Sequence, residues 1–459
     1  MKIKNMYSVF ILIVFAIFSS CENFDNPQMH DENQITNSLS NRNQLYIPEV
    51  VSPGGLMLTA APGTTDIGGG IISATWEFNG NLPGPTIKTN TGTIASILFQ
   101  NNLPEESIVH WHGLIVNKEN DGHPQDAVSS GGNYSYNFPI IQRAGLNWYH
   151  PHPDMLTGKQ VFMGLAGAFI VNDAEESAFN LPSGNFEVPL IIRDVTLNNG
   201  GNINYQPTAG GMFGRSSMVN GSMYPYMKVA SAVYRFRILN GANARVMNLA
   251  FTKNAEMILI GNDGGLLPSS SIQNSIVISN GERLDILVDF RKFKTGESII
   301  LRDLNAQWDL VEFIVTEKKM PLYNGALSTS SNIQPLSNPV VTRTFSFDGM
   351  SRINGLEFNM NRIDWTVPLH QTEMWVFVSN GNGPHPVHVH GASFQVVSRT
   401  GGRGRIFPWE AGWKDTVLLD DGETVRVLIR FDNYSGIYLM HCHKLEHEDR
   451  GMMANFEVI

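Results

Sequence analysis

The sequence predicts an all-β chain, and three observations carry that expectation. Long stretches of helical periodicity are rare. Glycine and proline are plentiful, at 43 and 23 residues, and many of them stand in Asn-Gly, Asp-Gly and Pro-Gly turns. Between those turns run short alternating or apolar segments of strand length. At 459 residues the chain has room for roughly three domains of about 150 residues each. A hydrophobic content of 42% with only 16% charged residues fits a large buried core.

Residues 1–21 read as an export leader. Lys2 and Lys4 give a positive start, and Met6 to Phe18 is almost wholly apolar but shorter than the ~20 residues a membrane-spanning helix needs. The run ends Ile17-Phe18-Ser19-Ser20-Cys21, which resembles a bacterial lipobox with Cys21 as the lipid acceptor. An ordinary secretory leader cleaved near the same place is the alternative. Either way the chain is expected to be exported. With a lipid on Cys21 it would be anchored to a membrane, in the bacterial periplasm or at the outer membrane or cell surface. Cys21 and Cys442 are the two cysteines, so no disulfide framework is available. Cys442 is then a lone thiol in an oxidising compartment, a liability unless something occupies it. The net charge of −10 becomes more negative once Lys2 and Lys4 leave, which argues against a nucleic-acid partner.

Residues 22–45, rich in Asn, Asp, Gln and Ser, are expected to form a flexible tether. A first block spans 46–174. It has strands around Thr75–Phe78 and Ile94–Phe99, with Asn79-Gly80 and Pro83-Gly84 as turns. It then carries His110-Trp111-His112-Gly113 and, forty residues on, His150-Pro151-His152-Pro153. Histidines at i and i+2 on a strand face the same way, so each pair can offer two imidazoles to one metal. An isolated pair of this kind is more often a solvated face; two behind aromatic-rich strands are harder to dismiss.

A second block, 175–320, has strands at 188–193, 233–239, 257–260, 276–278 and 284–290 but no histidine, so spacing and shaping are its expected role. Its methionines, Met212, Met218, Met223 and Met227, suit gap-filling in a core. Residues 321–343 read as a connection. The third block, 344–459, holds His385-Pro386-Val387-His388-Val389-His390. In it His388 and His390 form another same-face pair and His385 is offset from them.

The block ends in His441-Cys442-His443-Lys444-Leu445-Glu446-His447-Glu448-Asp449-Arg450-Gly451-Met452, behind the strand-like Ile437–Met440. If the strand continues, His441 and His443 share one face and Cys442 points to the other. Cys442, His447 and Met452 are the thiolate, imidazole and weak thioether of a blue-copper centre, although a zinc site or an exposed polar loop fits this segment alone. His441 and His443 are left for a second, all-imidazole cluster, with Cys442 as the covalent wire between the two.

Taken together, the four histidine motifs, in this order, resemble those of three-domain multicopper oxidases of the bacterial laccase-like group, over roughly residues 46–459. Ten of the thirteen histidines lie inside them, leaving His30, His123 and His370 as surface or structural residues. The resemblance implies three cupredoxin-like Greek-key β-sandwich domains and four copper ions. It implies His385, Cys442, His447 and Met452 around a type 1 copper and His110 with His388 on a type 2 copper. The type 3 pair would take His112, His150 and His443 on one ion and His152, His390 and His441 on the other. Asp121 and Glu448 stand where related bacterial enzymes carry proton-relay acids.

The implied reaction is single-electron oxidation of a small reductant coupled, through Cys442, to four-electron reduction of O2 to water. Phenols or aromatic amines, as for laccases, are the expected substrates, with Cu(I) or another metal ion as the alternative. Residues 306–343 contain only Met320, Gly381-Asn382-Gly383-Pro384 precede His385, and Gly383 stands where bilirubin oxidases carry tryptophan. Neither the cuprous-oxidase nor the bilirubin-oxidase pattern is therefore complete. A copper nitrite reductase does not require all eight cluster histidines, and a copper-free structural relative would lack ligands that are present here. A monomer is expected.

Overall fold

The computed structural model describes residues 42–317 and 327–459. The leader, Cys21, His30 and most of the expected tether lie outside those residues. The last residues of that tether are docked instead of free. Arg42 pairs with Glu312 and lies 3.9 Å over the Tyr224 ring, while Leu45 is buried in the core of the histidine-free block.

Strands dominate, in six sheets that pair off along the sequence into three lobes. The alternation that predicts them is visible in Ile94–Asn101, where Ala95, Ile97 and Phe99 point inward between more exposed neighbours. Asn79 and Gly80 both take positive φ, 52° and 70°, closing the turn after Ile72–Phe78. Each lobe has its own apolar core: around Phe99, Trp111 and Phe138 in the first, Phe236, Phe290 and Phe313 in the second, and Trp375, Phe377 and Phe456 in the third. Among the described residues no helix is long and apolar enough to cross a membrane.

One topology is repeated three times. In each lobe a leading strand pairs antiparallel with one neighbour and parallel with a later strand. Gly54–Asp66 does so with Ile72–Phe78 and Ile94–Asn101, Glu187–Val195 with Ser216–Val219 and Val233–Asn240, and Val341–Asp348 with Arg352–Ile353 and Thr372–Ser379. The companion sheet makes one parallel and then two antiparallel steps. In the first lobe it runs Thr86–Asn90, Gly167–Asn172, Gly145–Pro151, Val109–His110. In the second it runs Tyr226–Ala230, Trp308–Glu317, Ser298–Asp303, Met247–Phe251. In the third it runs Trp365–Val367, Met453–Val458, Gly436–Cys442, His385–Val389.

The last two strands of that run carry the histidines in the first and third lobes. In the second the pair facing away from the core is Ala250 and Arg302, while Leu249 and Leu301 point into the core. The same strand pair thus offers histidines on its outer face in two lobes and none in the other.

Candidate metal centres

Strand Gly436–Cys442 lies between Met453–Val458 and His385–Val389, with His441 opposite His388 and Cys442 opposite Val387. Alternation sends Met440 and Cys442 into the third lobe's core and His441 to the other side. The strand ends at Cys442, the Lys444 amide lies 3.4 Å from the sulfur, and the short helix Leu445–Glu448 returns His447 to it. Cys442 Sγ is 3.6 Å from His385 Nδ1 and 3.8 Å from His447 Nδ1, and these two nitrogens are 3.3 Å apart. Met452 is fully buried in the same core, its carbonyl accepting from the Cys442 amide at 3.0 Å.

The remaining eight motif histidines converge on the far side of His441. Each pair straddles the end of a strand: His110, His150, His388 and His441 are in strands, while His112, His152, His390 and His443 lie just beyond. The expected shared face survives although the ladder does not run through the whole motif: the two rings of each pair lie 5.8, 6.0, 4.9 and 5.6 Å apart. Rings from the two lobes interleave. His110 stacks on His390 at 3.8 Å and His112 on His388 at 3.7 Å.

Oxygen atoms packed behind the rings fix which nitrogen several of them present. The Asp121 carbonyl lies 2.6 Å from His110 Nδ1, the Asp415 carbonyl 2.9 Å from His388 Nδ1, and Asp121 Oδ2 2.7 Å from His390 Nδ1. Carbonyl and carboxylate oxygens only accept, so these Nδ1 atoms donate and the Nε2 atoms are left with bare lone pairs. His110 Nε2 and His388 Nε2 then face each other at 3.4 Å. His390 Nε2 is 3.1 Å from His441 Nε2, which is 3.4 Å from His152 Nε2. Glu448 Oε2 lies 2.9 Å from His441 Nδ1 and its Oε1 3.6 Å from His152 Nε2.

These residues fit a bound cation. Lone pairs converging at such distances repel, and buried ring nitrogens with no partner at all, among them His112 Nδ1, His150 Nε2 and both nitrogens of His443, are costly to leave unsatisfied. Burial holds His110, His112, His388, His390 and His443 well below the usual imidazole range, His150 near pKa 3 and His152 near 4, so the donors are neutral as metal ligands must be. Burial likewise pushes the Cys442 thiol up to about 12, so a thiolate there needs a cation beside it. A thiolate, two imidazoles and a buried thioether suit copper.

Two histidines outside the motifs fall within the described residues. His123 is buried and structural, its Nε2 2.9 Å from Asn455 Oδ1 and its Nδ1 accepting from the Gln125 amide. His370 is exposed beside Asp432. Sequence reasoning missed Asp415, which touches the cluster from outside, and Arg283, which is paired with it. Asp415 looked like any acid before a strand. Arg283 opens the strand Arg283–Asp289, which also carries Asp285 and Asp289, so its charge did not stand out.

Comparison with known proteins agrees with this geometry. Models of multicopper oxidase domains match residues 60–176, 168–302 and 330–459. The multicopper oxidase mco of Staphylococcus haemolyticus is 34% identical over 94% of this chain and 96% of its own length. The laccase of Bacillus subtilis is 32% identical over 83% and 90%. The crystal structure of the McoA multicopper oxidase of Aquifex aeolicus superposes with a TM-score of 0.85 at 34% identity, covering 91% of this chain and 99% of that one. The chain belongs to the multicopper oxidase family, copper-dependent oxidoreductases of cupredoxin-like Greek-key domains.

Proposed function

We propose that this protein is a laccase-type oxidase that takes single electrons from phenols or aromatic amines and passes them to O2. The observation that carries this reading is the His441-Cys442-His443 segment, whose sulfur faces one donor set while its flanking imidazoles belong to the other. His385, Cys442, His447 and Met452 would hold one copper, His110 and His388 a second, and the two groups His112, His150, His443 and His152, His390, His441 a pair, four ions in all. When bound, copper supplies the redox chemistry: one-electron oxidation of the reductant at the thiolate set and reduction of O2 to two waters at the imidazole set.

The chain's part is to join, orient and supply protons. Cys442 joins the two sets through its own backbone. Tight burial of every donor keeps bulk water out. Asp121 and Glu448 each bridge a first-lobe and a third-lobe imidazole, and each keeps one oxygen without a hydrogen-bond partner, Oδ1 of Asp121 and Oε1 of Glu448. Those atoms can hold and release protons beside the site of O2 reduction. In the same reading the domains run 46–174, 175–320 and 344–459, the chain is exported and anchored through Cys21, and it acts as a monomer.

Oxygen consumption measured in parallel with a phenol, an aromatic diamine, bilirubin and Cu(I) tests the substrate. Turnover of the phenol and diamine is expected. A preference for Cu(I) by orders of magnitude would replace the laccase reading with a metal-ion oxidase serving copper tolerance.

A further inference from the structure

Three acidic residues touch the imidazole cluster, and each reaches one ring from the first lobe and one from the third, Asp121 and Asp415 using the backbone carbonyl for one of the two. Asp121 serves His110 and His390, Glu448 serves His152 and His441, and Asp415 serves His112 and His388. The third differs from the others. Both of its oxygens are taken by the fork of Arg283, Nη1 donating to Oδ1 at 2.7 Å and Nη2 to Oδ2. Thr416 Oγ1 also donates to Oδ1, at 2.9 Å. A carboxylate saturated in this way has no free oxygen for a travelling proton, so its role is geometric.

That role is readable from the contacts. His112 Nε2 lies 3.1 Å from Asp415 Oδ1 and 3.1 Å from Thr416 Oγ1. The carboxylate only accepts, so Nε2 carries the hydrogen and Nδ1, which has no partner, is left bare. The Asp415 carbonyl does the reverse to His388, taking its Nδ1 hydrogen and leaving Nε2 bare. Two rings stacked 3.7 Å apart and only 10° from parallel thus receive opposite tautomers from one residue.

Arg283 holds that residue still, and it comes from the histidine-free middle lobe. It is fully buried and donates to the Leu146 carbonyl of the first lobe at 3.0 Å, to the Gly281 and Asp263 carbonyls of its own lobe, and to Asp415 of the third. Gly113, beside His112, leaves room for it: a Cβ there would come within 2.7 Å of Arg283 Nη2 and 3.0 Å of Asp415 Oδ2.

We propose that Asp415, clamped by Arg283, is a positioning residue that sets the donor nitrogens of His112 and His388, so that the lobe without ligands controls the geometry of the cluster. This rests on the copper assignment proposed above. The test is copper retention by the holoenzyme against a graded chelator, read by metal analysis together with the colour of the thiolate site. Asp415→Asn, nearly isosteric, and Arg283→Lys, which keeps the charge but loses the fork, are expected to retain that colour at wild-type strength. They should release cluster copper at about 10- to 100-fold lower chelator concentration, with the shape of the pH–rate profile unchanged.

Nitrogen-15 spectra of the histidine rings in the full-length metal-free chain provide the second readout. His112 should carry its hydrogen on Nε2 in the wild type and shift toward Nδ1 in Asp415→Asn, whereas His388, held by a backbone carbonyl, should not change. Variants that keep cluster copper as tightly as the wild type, with His112 unshifted, overturn the positioning role. A wild-type chain that holds no copper beyond the thiolate site overturns the reading beneath it.

Discussion

The two donor sets share the residue pair His441 and Cys442 but are built in opposite ways. The thiolate set lies inside one lobe: three of its four residues come from Cys442–Met452, and Cys442 and Met452 are part of that lobe's own apolar core. The imidazole set belongs to no single lobe. His110, His112, His150 and His152 come from the first and His388, His390, His441 and His443 from the third, with carboxylates bridging the seam. A site embedded in one core depends on that core's packing. A site on a seam depends on everything that holds two lobes in register, including residues remote in sequence.

The comparison can be broken most severely at the seam. His388→Ala removes a bare Nε2 that faces His110 and a ring stacked on His112. It is expected to empty part of the cluster and reduce O2 uptake at least a thousandfold, while the thiolate site keeps its colour. Loss of that colour in step with O2 uptake would show that the two sets are not independent. Asp121→Asn and Glu448→Gln act more gently, leaving every donor in place but removing a proton carrier. O2 reduction should slow about a hundredfold with copper content and colour unchanged. Unchanged turnover in both variants would remove the relay role.

Acid provides a test of a different kind, because both sets depend on neutral imidazoles. Burial depresses His150 to about 3, His152 to about 4 and His385 to about 3, from an ordinary 6.5. Below pH 6.5 the unfolded chain therefore binds more protons than the folded one, and stability falls as the pH drops toward the folded values. The thermal midpoint of the metal-free chain should decline steadily between about pH 6.5 and 4. His150→Gln should flatten that decline; a midpoint level across the window in the wild type would contradict buried, neutral donors.

The smallest effect is expected at Asp449, which lies off both sets. Its carboxylate accepts from the Thr157 and Gly158 amides at 3.0 and 2.9 Å, capping the helix Thr157–Met163 of the first lobe from the third. Asp449→Ala should lower stability by about 1–2 kcal/mol in thermal unfolding, with little change in colour.

Much of this was legible in the sequence because the donors come in short local motifs, even where a set joins motifs far apart in the chain. Four short motifs name all ten histidines that meet in the two sets, and a period of two assigns Cys442 and His441 to opposite faces. The all-β class followed from turns and alternation, and the middle block, which has no histidine, places Ala250 and Arg302 where the other lobes pair histidines. What stayed hidden is what the seam requires. Arg283 and Asp415 are far apart in the chain, and each alone is an unremarkable charge. Only folding shows that both are buried and paired beside His112. Residues 42–45 were misjudged for a related reason: their polar composition conceals Leu45, whose burial depends on a partner lobe.

The central claim is that the sulfur of Cys442 connects the two sets. Its most direct test is O2 consumption by Cys442→Ala with a saturating phenol as reductant. The account predicts loss of uptake to background while copper analysis still finds the imidazole cluster loaded. Uptake at the wild-type rate from a chain lacking that sulfur would contradict it.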